Sequence, residues 1–207
     1  MEIGTLSLPQ LAAIAAALGW ASGLRLYAVV FLTGAAGYLG WVNLPEGLRL
    51  LQHPLVLGAS FLMLALEFVA DKIPGVDTLW DAVHTLIRIP AGAALAGAVF
   101  GFDADSWALV AALAGGTLAA TSHAAKATTR AAANTSPEPF SNIALSLLGD
   151  AAVPVMLWLS WAHPIAFFVA LALGVAAALV LIATLWRFLR ALGSRWLARA
   201  PMVGGAP

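Results

Sequence analysis

Glu67 and Asp71 stand four residues apart at the end of an apolar run that begins at Leu55. Four residues is about one helical turn, so the two carboxylates share a helix face. Paired hard oxygen ligands suit Mg²⁺, Ca²⁺ or Mn²⁺ better than softer metals. A proton or a basic partner would also satisfy them. Some compensation is required, because one charge at the centre of a membrane helix costs about 2.5–3.5 kcal/mol even on the lenient insertion scale. Asp77, Asp81, His84 and Arg88 recur at intervals of four, three and four, which is one face of a second helix. His123, Lys126 and Arg130 form a third stripe, spaced by three and four.

Glu67, Asp71, Asp77, Asp81, His84 and Asp150 are therefore candidate ligands for a cation or a proton, with Glu67 and Asp71 the candidate metal pair. Arg25, Lys72, Arg88, His123, Lys126 and Arg130, with Glu138, are candidates for an anion site or for counter-charges. The two sets nearly balance, so a static network of salt bridges explains them as well as an ion path does. His84 has Asp81 one turn back and His123 has Lys126 beside it, and either imidazole could titrate near neutral pH. His53 and His163 each precede a proline that opens an apolar run, which places them at an interface. No His-Glu-x-x-His, nucleotide-binding loop or Gly-x-Ser-x-Gly elbow occurs. The absence of cysteine excludes disulfides and thiolate chemistry.

The elements that must position these groups are membrane helices. Of 207 residues 62% are hydrophobic and 10% charged, against about 25% charged in a soluble domain. The mean hydropathy is +0.93. So few polar groups cannot cover a water-facing surface. The balanced charge gives no field for nucleic acid. Met1-Glu2-Ile3-Gly4 lacks the basic start of a secretory signal, so the first apolar run is expected to stay in the fold. The pattern predicts an all-α polytopic bundle with kinked or broken helices, one membrane domain over 1–200 and a disordered tail over 201–207.

Spans are expected over about 8–40, 54–71, 90–101 with the segment before it, 107–133, 141–161 and 164–186. The first is expected to break or kink near Gly19–Gly23, unless those glycines serve close helix packing. Asn43 to His53 reads as a loop. Val76 to Arg88 is too short and too polar to cross, so it reads as interfacial or re-entrant, joined to Pro90–Phe100 as one kinked span or separate from it. Gly149-Asp150 and Pro154 are expected to interrupt the fifth span. Arg187, Arg190, Arg195 and Arg199 follow the last span and predict a cytoplasmic C-terminus. Leu11–Gly19 before Ser22 and Leu109–Gly116 before Ser122 form a faint internal repeat, of the kind transporters are built from.

The strings Ser22-Gly23-Leu24-Arg25-Leu26-Tyr27, Leu66-Glu67-x-x-Ala70-Asp71-Lys72-Ile73-Pro74-Gly75-Val76-Asp77 and Asp81-x-x-His84-Thr85-x-x-Arg88-x-Pro90-Ala91-Gly92 resemble an uncharacterised bacterial membrane family, domain of unknown function 4126. His123-x-x-Lys126-x-x-x-Arg130 and Asn134-x-Ser136-Pro137-Glu138-Pro139-x-Ser141-Asn142 extend the resemblance, which covers about residues 10–160. It implies an integral protein of the bacterial inner membrane and brings no activity. This chain has Gly149-Asp150 where the family often has Glu-Asp, which leaves a second carboxylate pair in doubt. More loosely, Glu67-x-x-x-Asp71-Lys72 is similar to the Glu-x-Gly-Asp-Lys motif of calcium/manganese transporters. The spacing differs by one residue, which turns the acids by about 100° around the helix.

These observations favour a transporter or channel for a small ion over a soluble catalyst, with a divalent cation as the candidate cofactor. A membrane enzyme or flippase handling lipid phosphates is an alternative, as is a structural subunit. Expected partners are the lipid bilayer, a small ion or lipid headgroup, and a second copy of the chain in a homo-oligomer.

Overall fold

In lipid the backbone has no partner but itself, and apolar runs of this length close their hydrogen bonds within helices. The computed structural model describes residues 6–73, 75–101, 106–134 and 140–199, and among these every regular element is helical. They are α1 (Leu8–Tyr38), a 3₁₀ helix (Glu46–Gln52), α2 (Pro54–Ala70), α3 (Val76–Ala98), α4 (Ser106–Ala133), α5 (Phe140–Ala162) and α6 (Pro164–Arg199). Among the described residues Leu8–Tyr38, Ser106–Ala133, Ile143–Ala162 and Pro164–Phe188 are long and apolar enough to cross a membrane. The 3₁₀ helix and α2, bent by 70°, would make a fifth span if counted as one. The chain is a multi-pass integral membrane protein.

The helix α3 is amphipathic in the inverted sense. On α3 the polar residues Asp77, Asp81, His84 and Arg88 are buried, while Leu79, Val83 and Leu86 are 56–82% exposed. The expected helix face is there, and it points into the protein. The segments before and after Pro90 form one 23-residue helix. Pro154 likewise sits inside an unbroken α5, so the interruption expected at Gly149-Asp150 and Pro154 does not occur. Membrane helices tolerate such prolines because their surroundings satisfy the freed carbonyl. The loop expected over Asn43–His53 contains the 3₁₀ helix.

The largest departure is in α1. Arg25 leaves helical geometry (φ −149°, ψ 82°), two residues beyond the expected Gly19–Gly23 break. Leu6 and Leu11 line one cleft together with Gly37, Gly40 and Leu44. A straight helix would hold Leu11 and Gly37 about 39 Å apart at 1.5 Å per residue. The two halves of α1 therefore fold back on each other, with Arg25 at the tip of a helical hairpin. Gly19 and Gly23 do something else: they let α4 approach. A Cβ on Gly19 would lie 2.5 Å from the Gly115 Cα, and one on Gly23 would strike Ser122 and the Ala119 carbonyl.

These contacts set directions. The first half of α1 runs parallel to α4, with Gly19 by Gly115 and Gly23 by Ser122. It runs antiparallel to α3, whose Gly92 faces the Gly19 carbonyl and Ala119. Phe168 of α6 lines a cleft with Leu8 and Trp107, and Gly174 lies by Trp20, so α6 runs the same way as α4. The hairpin tip, the end of α2, the start of α3, the end of α4 and the start of α5 thus gather at one end of the bundle. Arg187 and Arg190 of α6 lie toward that end. The two segments of the faint repeat, in α1 and α4, pack directly on each other. Their neighbours differ: α1 also packs on α2, α3 and α5, whereas α4 packs mainly on α3 and α6.

Candidate functional site

Asp71 follows the last residue of α2, where the helix carbonyls already present negative charge. A carboxylate there needs more than one cation, and it has three. Arg25 Nη1, Lys126 Nζ and Arg130 Nη2 approach Asp71 Oδ2 at 2.8, 3.1 and 3.2 Å. Asp71 has no exposed surface. One turn earlier Glu67 Oε1 accepts from Arg88 Nη2 at 2.5 Å, and both side chains are fully buried. Arg88 Nη1 donates to Asp81 Oδ1 at 2.6 Å. Lys126 Nζ reaches the same oxygen at 3.0 Å, which joins the two clusters.

Asp77, in the first turn of α3, accepts from the backbone N–H of Gly75 and of Thr78 at 2.8 and 2.7 Å. Its other oxygen takes Arg130 Nη1 at 3.2 Å. Gly75, at φ +87°, makes the turn from α2 into α3 that brings Asp71 and Asp77 together. On the α5 side Arg25 Nε pairs with Asp150 Oδ1 at 2.7 Å, and Lys72 lies 3.5 Å from Asp150 Oδ2. Lys72 is in the turn after α2, and burial pushes its ammonium down from its ordinary value while Asp150 pushes it up.

Glu67, Asp71, Asp77, Asp81 and Asp150 thus interleave with Arg25, Lys72, Arg88, Lys126 and Arg130 in one continuous network drawn from α1 to α5. Each buried charge has an opposite neighbour, which burial away from water demands. His123 borders the network. Thr85 Oγ1 donates to the Asp81 carbonyl at 2.8 Å, so His123 Nε2, 2.7 Å away, is the donor to that hydroxyl. Arg88 Nη1 stands 3.4 Å from His123 Nδ1. His84 does not pair with Asp81. It meets the Trp80 carbonyl at 2.8 Å and the Tyr27 hydroxyl at 3.1 Å, and stacks on Trp80. Glu138 lies outside the described residues.

The broken tip of α1 leaves carbonyls that neighbours satisfy. Lys126 Nζ donates to the Leu24 carbonyl at 3.2 Å, and Ser122 Oγ to the Trp20 carbonyl at 2.6 Å. Three polar residues that carry the site had no assigned role in the sequence pattern. Ser146 Oγ accepts from Arg25 Nη2 at 2.8 Å, and it precedes Asp150 by one turn, a spacing that could have revealed it. Tyr27 and Thr85 fix the two histidines, and both stand next to or near charged residues in the strings above.

Among the described residues no three His, Asp or Glu side chains come together as a metal-ligand group. Glu67 and Asp71 face Arg88 and the Arg25–Lys126–Arg130 trio respectively. Not every polar atom is spent, however. Glu67 Oε2 and Arg88 Nε are buried without a hydrogen bond, and Arg25 Nη1 is close to Asp71 but not aligned to donate to it. A cavity of about 260 Å³ reaches the network between α1, α4 and α5, with Arg25, Asp71, Lys126 and Arg130 on its wall.

Fold and site together define an integral membrane helical bundle with a buried, charge-balanced centre around the broken helix α1. The chain belongs to the family described as Domain of unknown function (DUF4126), which matches residues 12–187. No curated protein and no solved structure matches it.

Proposed function

We propose that this protein transports a small ion, and that rearrangement of the buried ion pairs around the α1 tip opens and closes its path. The observation that carries this reading is the position of Asp71. It is fully buried, shared by three cations, and set on the wall of a cavity that reaches the network. A carboxylate held by three cations can give one of them up to an incoming anion, or take a cation in its place, without ever being left alone. The break in α1 supports the same reading, because irregular backbone in a membrane protein survives only inside protein or beside a cavity. A purely structural subunit would need the charges but not the cavity.

The arginines of α6 lie toward the charged end of the bundle, so that end and the C-terminus are cytoplasmic in this reading. The membrane is the bacterial inner membrane that the family resemblance suggested. A divalent cation at Glu67 and Asp71 would have to displace Arg88 from one and three cations from the other, so the network favours substrates that work with the basic groups.

Flux into proteoliposomes of the purified protein tests the proposal, with Na⁺, Ca²⁺, chloride and phosphate compared against empty vesicles. Glu67→Gln keeps an oxygen for Arg88 and removes the charge. It is expected to cut flux about tenfold while the variant still unfolds cooperatively. Absence of flux for every ion, or full flux in Glu67→Gln, would overturn it.

A further inference from the structure

Transport through this network leaves the sign of the cargo open, and the cavity beside Asp71 bears on it. Its wall carries three cations, Arg25, Lys126 and Arg130, against one acid, Asp71. A cation entering there meets three like charges. An anion meets three donors; Arg25, only 2% exposed, already holds Asp150 and Ser146, and its Nη1 lies 2.8 Å from Asp71 without being aligned to donate to it. The rest of the wall is mostly apolar, including Trp20, Leu24, Leu145, Leu148 and Ala152. Leu148 is 67% exposed, so the mouth gives onto the outer surface of the bundle. Among the described residues α4 and α5 touch little there, which leaves a seam beside the opening.

Depth adds a further constraint. Lys126 and Arg130 lie in the last turns of α4, and Leu145 and Leu148 in the first turns of α5. The opening is therefore lateral and close to the end of the spans, where a headgroup layer meets acyl chains. A volume of about 260 Å³ holds a headgroup and a few carbons, so a longer tail must leave along the seam.

We propose that this cavity binds an amphiphilic anion: a phosphate or carboxylate seated on Arg25, Lys126 and Arg130, with an apolar body leaving between α4 and α5. The assignment rests on the transport reading for its purpose, and on the cavity alone for its chemistry. The same chemistry fits a membrane lipid headgroup or a free organic acid, and the site competes with Asp71 for its cations in either case.

Binding to the full-length protein in nanodiscs of neutral lipid tests this, with octyl phosphate, octyltrimethylammonium, inorganic phosphate and Ca²⁺ as probes. Octyl phosphate is expected to bind at least about tenfold more tightly than the cation of equal chain length. Leu148→Trp closes the mouth from an exposed position, leaves the charges in place, and is expected to weaken octyl phosphate about tenfold without lowering the unfolding temperature. Inorganic phosphate matching octyl phosphate would keep the anion site and remove the apolar half of the assignment. A long-chain phosphatidate in the disc that competes with octyl phosphate would point to a lipid source, and lack of competition to a free acid.

Equal or tighter binding of the cation probe, or undiminished binding in Leu148→Trp, would overturn the proposal. Octyl phosphate bound without flux would sink transport and keep the site. Cation flux without anion binding would do the reverse.

Discussion

Two regions hold α1, α3 and α4 together, and they do it by opposite means. Toward the uncharged end Gly19, Gly92, Ala96, Gly115 and Ala119 bring backbones into contact, so close that a Cβ on Gly92 would lie 2.8 Å from the Ala119 Cβ. Toward the other end Arg25, Arg88, Lys126 and Arg130 tie the same helices, with α2 and α5, through buried carboxylates. Lipid provides no hydrophobic force between helices, so small-residue contact supplies dispersion at no desolvation cost. Ion pairs there are costly to bury and specific in geometry. The glycine seam has one arrangement. In the network Asp71 and Lys126 each have more than one partner. On the proposed transport reading, the seam would hold the bundle together while partners exchange in the network.

The largest effect should come from unpairing the network. Arg88→Met strands Glu67, which has no other cation among its ion pairs, while Asp81 keeps Lys126. Breaking one side of a buried pair costs about 3–5 kcal/mol. Reversible unfolding in detergent should show a loss of that size, and Glu67→Met with Arg88→Met should recover most of it. A single variant as stable as the parent would mean that the network contributes no cohesion and that the seam alone holds the helices.

Next comes the seam itself. Gly115→Val places methyls against the Ala96 Cβ and the Gly92 carbonyl, where only backbone or a stub side chain could yield. Overpacking costs about 1–3 kcal/mol, and rigid neighbours put this case at the upper end. The loss should be the same at low and high salt. Any marked salt dependence would show that the seam and the network are coupled, against the division drawn here.

How much of this was legible in the sequence differs between the two regions in an instructive way. The spacing of Asp77, Asp81, His84 and Arg88 could only be one helix face, and all four are buried. The His123, Lys126 and Arg130 stripe met that face as its charge required. What spacing could not tell was which acid takes which base, since His84 stands next to Asp81 in helical terms yet turns to Tyr27 and Trp80. The fold-back of α1 was also hidden. Glycines in an apolar run serve a kink and a close contact equally well, and here they serve the contact. The break falls instead at Arg25, whose charge cannot face lipid and is satisfied only where the helix end aims it at Asp71, Asp150 and Ser146. A lone arginine in an apolar run was the signal for the tip.

Ser146→Ala probes the network more gently. It removes the hydroxyl that accepts from Arg25 Nη2 at 2.8 Å, while the Ser146 carbonyl at 3.3 Å and both carboxylates remain. A hydrogen bond to a charged group is worth about 1.5–3 kcal/mol net, and the partners that remain keep this loss at the low end. If exchange of partners at the α1 tip gates flux, this variant should change the flux rate by more than its small stability loss suggests. An unchanged rate would make Ser146 a packing residue and the tip a fixed structure.

The smallest effect should have the opposite sign, and it isolates what a glycine does in this bundle. Gly58 lies in α2 on an exposed stretch, and an added Cβ would meet nothing within 4 Å. Glycine in a helix interior costs up to about 1 kcal/mol relative to alanine, because the unfolded chain loses more freedom on ordering. Gly58→Ala should therefore stabilise the protein by a fraction of that, where the equivalent change at Gly19 or Gly115 destabilises it. The same atom added at two helical glycines thus separates propensity from contact. If Gly58→Ala instead lowers the unfolding temperature, something outside the chain packs on that face of α2. The contrast between seam and surface would then have to include a second copy of the protein or a bound lipid.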